Sequence, residues 1–287
     1  MANVETIPCP YCQSLIFSHW ATEIGFDAVR CADCRLIYVN PRPSLALISE
    51  AVQTGAHGEE AGGLVVVSRR QNAKVIRYQK IFSEIFKDVW EVGKPISWLD
   101  IGAGYGEIVE AVSALAPPGS RIEGFEPMKP KVEQARARGL SVIEGYLDSA
   151  HPKVQIASII DVYSHIPNFD SFLAQIRAVL VPDGQIFIET GNLADLNDRG
   201  EFPNELGLPD HLVFAGEEHI RGHLDRAGFD VVQIKRQRTD GIVNLAKNAV
   251  KIAIGRTGHI GIPYTSNYRQ LLVRAQLRPD TAISIPV

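Results

Sequence analysis

From residue 96 onward the chain alternates short apolar runs with amphipathic ones. Residues 96–101, 120–125, 140–144, 156–161 and 185–189 are compact and apolar, and most end in an acid, so they read as strands. Residues 107–115, 169–180 and 217–227 repeat their apolar positions at helical spacing. Two more strands follow at 230–235 and near 268–277. Alternation of this kind predicts an α/β fold, a doubly wound sheet with helices on both faces. Ahead of it, 69–90 reads as a helix, with Val75, Tyr78, Ile81, Phe82, Ile85 and Phe86 on its apolar face. Two stretches lack periodicity: the glycine-rich 53–66, expected as a mobile linker or a lid, and the polar 190–215, too long for a plain connection.

The first strand runs into Asp100-Ile101-Gly102-Ala103-Gly104-Tyr105-Gly106-Glu107, a D-x-G-x-G-x-G turn. Glycines there permit a tight turn and close approach of a ligand. The spacing departs from the dinucleotide fingerprint G-x-G-x-x-G, because Glu107 stands where the third glycine belongs. An acid at that helix N-terminus would repel a pyrophosphate. The second strand ends in Glu126, suited to a ribose diol. A glycine turn, a ribose acid and no phosphate-binding logic together resemble the class I S-adenosylmethionine-dependent methyltransferases. Asp161-Val162-Tyr163-Ser164-His165-Ile166 and the turn Arg177 to Gly184 extend the resemblance, which covers about residues 96–277. It implies a seven-stranded Rossmann-like sheet whose last strand is reversed. It also implies a cofactor loop of Gly102, Ala103, Gly104 and Gly106 ordered by Asp100. Glu126 and Pro127 would lie at the ribose, Tyr146, Leu147 and Asp148 near the adenine, and Asp161, Val162 and Tyr163 beside the methionine. Tyr78 reads either as a further contact to the methionine end or as a core aromatic.

All four cysteines lie near the N-terminus: Cys9-Pro10-Tyr11-Cys12 and Cys31-Ala32-Asp33-Cys34. The C-x2-C-x18-C-x2-C spacing is that of a four-thiolate zinc site, structural because no coordination position stays open. The segment from Arg30 to Pro43, with Asn40-Pro41-Arg42-Pro43 at its end, resembles bacterial methyltransferases of sugars, glycans and natural products that carry a small zinc domain. Arg35 replaces the glycine usual there, so a left-handed backbone at this position would strain the knuckle. The expected organisation is a zinc-ribbon-like domain at 1–45, a linker or lid at 46–68 and the methyltransferase domain at 69–287.

Alignment of donor and acceptor supplies most of the catalysis of methyl transfer, and a hydroxyl acceptor also needs a base. Asp210-His211-Leu212-Val213-Phe214 resembles a family signature that puts a histidine beside the acceptor, so His211 is the first candidate base, His165 the second and Asp210 their companion. His219 and His223 lack the H-E-x-x-H context of a metal site and are expected on a solvated helix face. His19, His57, His151 and His259 carry no supporting pattern. Residues 235–278 are rich in Lys and Arg, and 244–254 reads as a basic amphipathic helix that could meet an anionic or nucleotide-linked acceptor.

A net charge of −4 gives no general attraction to nucleic acid. No apolar run reaches the length of a membrane span. Reduced cysteines without a secretory signal point to the cytoplasm. The expected activity is methylation of a small molecule or sugar, at oxygen with a histidine base. Three alternatives stand beside it: sugar C-methylation, RNA methylation, and a non-catalytic protein using the zinc module as an interaction surface.

Overall fold

The computed structural model describes residues 4–57, 63–66, 69–202, 204–239, 241–253 and 266–279. The chain opens with β1 (Val4–Glu5), β2 (Phe17–Glu23), β3 (Phe26–Cys31), β4 (Ile37–Val39) and β5 (Arg42–Pro43), followed by helix α1 (Leu45–Thr54). Residues 46–68, expected as linker or lid, therefore begin as a helix. Beyond it the backbone turns back on itself: Ala56 pairs with Val65, and the Val66 N–H donates to the Gly55 carbonyl at 2.7 Å.

The expected leader helix is two helices, α2 (Asn72–Ile85) and α3 (Lys87–Val92). The alternating unit then runs β6 (Ser97–Ile101), α4 (Glu107–Ser113), β7 (Arg121–Glu126), α5 (Lys129–Arg136), β8 (Val142–Glu144), β9 (Val154–Ile160), α6 (Phe169–Val179) and β10 (Leu180–Gly191). It closes with β11 (Val213–Phe214), α7 (Glu217–Arg226), β12 (Phe229–Gln237), α8 (Ile242–Ala253) and β13 (Gln270–Leu277). The anticipated turn at 181–184 is absorbed into β10 as an irregularity between Leu180 and Gln185, where Asp183 takes a φ of 60°.

Seven strands form one sheet in the order β12-β13-β10-β9-β6-β7-β8. The strands from β6 to β10 are parallel, and β13 runs antiparallel to both its neighbours. The strand order reverses between β6 and β9, and at such a switch point an open α/β sheet binds its ligand. One face of the sheet is covered by α2 and α4 through an aromatic core of Tyr78, Phe82, Phe86, Trp98 and Phe187.

The N-terminal strands build a second sheet, and its order, β11-β4-β3-β2, joins distant parts of the chain. Val213 pairs with Tyr38 and Phe214 with Ile37. One face of this sheet shares its core with the large sheet: Cys9, Val29, Cys31 and Tyr38 pack in the same cluster as Ile159 and Leu173. The other face packs on Leu193, Leu196, Leu206 and Leu208. The polar 190–215 stretch is thus a wrapping held by its backbone. The Glu23 carboxylate accepts the N–H groups of Leu206, Gly207 and Leu208, and Arg30 donates to the carbonyls of Leu196 and Asn197.

His219 and His223 correct the expectation of a solvated face. They are 5% and 3% exposed, because α7 docks on the first cysteine knuckle. The Tyr11 ring sits edge-on to both imidazoles, at 4.8 and 4.9 Å between centroids. His219 accepts from the Gly216 N–H and donates through Nε2 to the Cys34 carbonyl, and burial holds its pKa down at about 4. Gly222 makes room for this docking: a Cβ there would lie 2.0 Å from the Tyr11 hydroxyl oxygen. Gly222→Ala is expected to destabilise the protein by about 1–2 kcal/mol, since overpacking outweighs the gain in helix propensity. Adding Tyr11→Phe should recover part of the loss in a denaturant titration, because it removes the clashing oxygen.

Candidate active site

The glycine turn occupies the carboxyl end of β6. Gly102, Gly104 and Gly106 have φ of 78°, 55° and 81°, in the left-handed region that L side chains avoid. A Cβ on Gly102 would meet Val162 Cγ2 at 2.5 Å, so the turn packs directly on the loop after β9. Around Gly104 the space is open, the nearest atom to a built Cβ being Glu107 Oε2 at 3.9 Å. That opening is a cradle in which a ligand can touch backbone.

Glu126 stands at the end of β7, 5% exposed. Its Oε2 accepts the Gly104 N–H at 2.8 Å and its Oε1 the Met128 N–H at 3.0 Å. Each oxygen keeps a further lone pair for a diol. Asp100 is fully buried beneath the turn. It accepts from the Ser158 hydroxyl at 2.6 Å, and burial pushes its pKa up to about 7. Glu107 fastens the leader to the turn by accepting the Gln71 N–H at 3.1 Å.

Ala103 is buried, Pro127 and Leu147 are half-buried, and Tyr146 is exposed with its hydroxyl 3.3 Å from Ser49 of α1. The exposed Asp148 carboxylate is occupied within its own turn by the Ala150 N–H. Asp161, directly after β9, takes a φ of 58°. Tyr163 is buried, its hydroxyl 3.3 Å from His223 Nε2. Tyr78 is fully buried and donates its hydroxyl to Glu189 at 2.6 Å, which places it in the aromatic core. Together the glycine cradle, a diol-ready carboxylate and strand ends at a switch point are groups that fit the donors and acceptors of S-adenosylmethionine.

A second group of residues comes together from three segments. Asp210, His211 and His165 bring candidate ligand atoms within 4.8 Å of one another. His165 Nδ1 donates to the Asp210 carbonyl at 2.9 Å and His211 Nδ1 to the Leu206 carbonyl at 2.6 Å. A carbonyl can only accept, so both rings carry their proton on Nδ1 and leave the Nε2 lone pair basic. Burial lowers the pKa of His165, which is therefore neutral at pH 7. His57, from beyond α1, completes the group with Nε2 3.2 Å from Asp210 Oδ1. Beside it lies a pocket walled by Phe26, Pro43, Ile48 and Val52, with His165 and Asp210 on its lining. His57 and Lys74, whose ammonium is 3.8 Å from Asp161 Oδ2, were not singled out by sequence. A lone histidine in a glycine-rich stretch and one of two lysines on a helix give no pattern to find.

The four cysteine sulfurs also converge within 4.8 Å, with Cys9–Cys34 and Cys12–Cys31 at 3.5 Å. A tetrahedral zinc with bonds of about 2.3 Å needs sulfur separations of roughly 3.8 Å, so the donor set fits. The knuckles repeat one another. Cys9 donates to the Ser14 carbonyl and accepts from Gln13, and Cys31 donates to Leu36 and accepts from Arg35. Gln13 and Arg35, at φ 63° and 69°, occupy the matching left-handed positions, at a cost of roughly 1–2 kcal/mol each.

A family model described as a methyltransferase domain matches residues 72–234, more than half of the chain. The chain belongs to the methyltransferase-domain family. Solved structures agree on the fold. A putative sarcosine dimethylglycine methyltransferase from Galdieria sulphuraria is 14% identical with a TM-score of 0.54, covering 70% of this chain and 85% of that one. The [4+2]-cyclase SpnF is 17% identical with a TM-score of 0.51, covering 75% and 85%. An S-adenosylmethionine-dependent methyltransferase from Archaeoglobus fulgidus is 15% identical with a TM-score of 0.50, covering 70% and 94%. No curated protein matches the chain. By family the protein is thus a methyltransferase, and by fold it has the Rossmann-like sheet of the class I enzymes. Among the described residues no helix is long and apolar enough to cross a membrane.

Proposed function

We propose that this methyltransferase acts on a hydroxyl of a small-molecule or sugar acceptor, with His211 as the general base and His165 and Asp210 around it. The observation that carries this reading is the pairing of two imidazoles whose Nδ1 protons are committed to backbone carbonyls. Each then leaves Nε2 as the nitrogen free to take a proton, which is what deprotonating a hydroxyl requires. S-adenosylmethionine, when bound, supplies the activated methyl group. The chain's own residues hold and align: the glycine turn and Glu126 grip the nucleoside, and the wrapped 190–215 segment presents His211.

The apolar lining of the pocket favours an uncharged acceptor over an anionic one, and the sparse cations of the N-terminal module speak against RNA. In the same reading the four cysteines hold a structural zinc. Its role is to stiffen the sheet whose β4 pairs with β11, two residues beyond His211.

His211→Ala is expected to keep S-adenosylhomocysteine affinity within about threefold and to lower methyl transfer by about 10²–10⁴-fold, the usual contribution of a positioned base. The assay follows label from methyl-tritiated cofactor into extract fractions and then into a purified acceptor. Near-normal transfer by the variant would remove His211 from the role.

A further inference from the structure

Helix α8 keeps its apolar side in water. It separates apolar from polar positions more sharply than any other described helix of eight residues or more. The others turn that side inward, with Ile48 and Ala51 of α1, Leu173, Ile176 and Val179 of α6, and Ile220 and Leu224 of α7 all buried. On α8, Ile242, Val250 and Ile252 are 64%, 61% and 44% exposed. At about 100° per residue, Ile242, Ala246, Ala249, Val250 and Ala253 share one arc, and all five are exposed. Leu245 and Asn248 lie outside that arc and are half-buried.

The charge around the arc has one sign. From residue 241 to 279 the sequence has no Asp or Glu, against Lys247, Lys251, Arg256, Arg269, Arg274 and Arg278. The three arginines nearest the C-terminus are occupied. Arg274 bonds both Asp88 oxygens at 2.6 and 2.7 Å, Arg278 pairs with Asp230 at 2.8 Å, and Arg269 donates to the Ser266 and Tyr268 carbonyls. Lys247 borders the apolar arc, is exposed and makes no ion pair among the described residues.

Exposed apolar surface of this kind marks a site that something covers, and its composition says what. The cores of protein interfaces are rich in Tyr, Trp, Phe, Met and Arg. α8 has none of these, only Ile, Val, Leu and Ala with Asn and Lys. Aliphatic residues on one side, lysine beside them and no acid are what a helix lying in a bilayer interface presents. The apolar arc enters the acyl boundary, and the ammonium meets anionic headgroups. The pocket walled by Phe26, Ile48 and Val52 points the same way, since molecules with apolar bodies collect in bilayers.

We infer that α8 is a membrane-surface helix, which lays Ile242, Val250 and the alanines between them into the interface of an anionic bilayer, with Lys247 at the headgroups. The helix rests on the bilayer and does not cross it: its 12 residues span about 18 Å, against a hydrocarbon core of about 30 Å. α8 belongs neither to the glycine cradle nor to the histidine group, so the inference goes beyond the proposed methylation and stands without it.

The test is flotation of the whole protein with vesicles of phosphatidylglycerol or of phosphatidylcholine. The native chain should partition onto phosphatidylglycerol at least about fivefold more strongly, the worth of one lysine near an anionic surface, and added salt should reduce that preference. The double variant Ile242→Gln with Val250→Gln should lose about tenfold or more in partition and keep the native unfolding temperature, because both side chains are exposed in the folded protein. Lys247→Gln should reduce the preference for phosphatidylglycerol and leave partition onto phosphatidylcholine in place. No flotation of the native chain, or equal flotation of the double variant, would overturn the inference. So would sedimentation in which the native chain self-associates and the double variant stays monomeric, which would assign the arc to a second copy of this chain.

Discussion

With zinc on the four cysteines, as proposed, chelation is expected to lower the unfolding temperature by about 10 °C or more, since structural zinc sites contribute of order 10 kcal/mol to folding. The reason lies in where the site sits. Cys9 and Cys31 are fully buried in the core shared by both sheets, so losing the ion frees buried thiolates and loosens the packing around them. Methyl transfer should fall with it, because the module's β4 carries β11 and the Val39 N–H donates to the Leu212 carbonyl at 2.9 Å, next to His211. Cys12→Ser offers a milder version at the exposed ligand. The measurement is scanning calorimetry with metal content determined on the same sample. A chelated protein whose transition moves by less than about 2 °C would mean that the knuckles hold without an ion.

Glu126→Ala is expected to weaken S-adenosylhomocysteine by about 10²–10³-fold, as two charge-assisted bonds to a ribose diol are lost. The same carboxylate also satisfies the N–H groups of Gly104 and Met128, so the alanine variant leaves two donors without their partner. A stability loss of about 1–3 kcal/mol should therefore accompany the affinity loss. Glu126→Gln separates the effects in part: its single amide oxygen can serve only one of the two N–H groups, so it should lose less stability than the alanine variant while binding about tenfold more weakly than the native protein. Affinity of the glutamine variant within twofold of native would show that the ribose is held elsewhere.

The large sheet was legible because its signals are local. The parallel strands are mostly apolar runs closed by an acid or glycine, and D-x-G-x-G-x-G fixes which strand leads the site. The reversed β13 came from resemblance alone, since periodicity carries no direction. What stayed hidden was long-range. Nothing around Val213 marks it as the partner of Tyr38, and a polar stretch such as 190–215 reads as loose when its backbone donors are in fact satisfied by Glu23. His219 and His223 misled for the same cause: on a helix bearing Glu217, Glu218, Arg221 and Arg226, burial depends on Tyr11, which is some two hundred residues away in sequence.

The shared sheet also sets a timetable for synthesis. The cysteine knuckles leave the ribosome early, yet β4 waits for a neighbour roughly 170 residues downstream, about 10 to 30 s of translation at ordinary rates. Through that interval Ile37, Tyr38 and Val39 are an apolar strand edge without cover, the kind of surface that chaperones hold and that neighbouring nascent chains can capture. Expression yield should therefore respond to elongation rate between residues 40 and 214 more than to any change made after β11 has emerged.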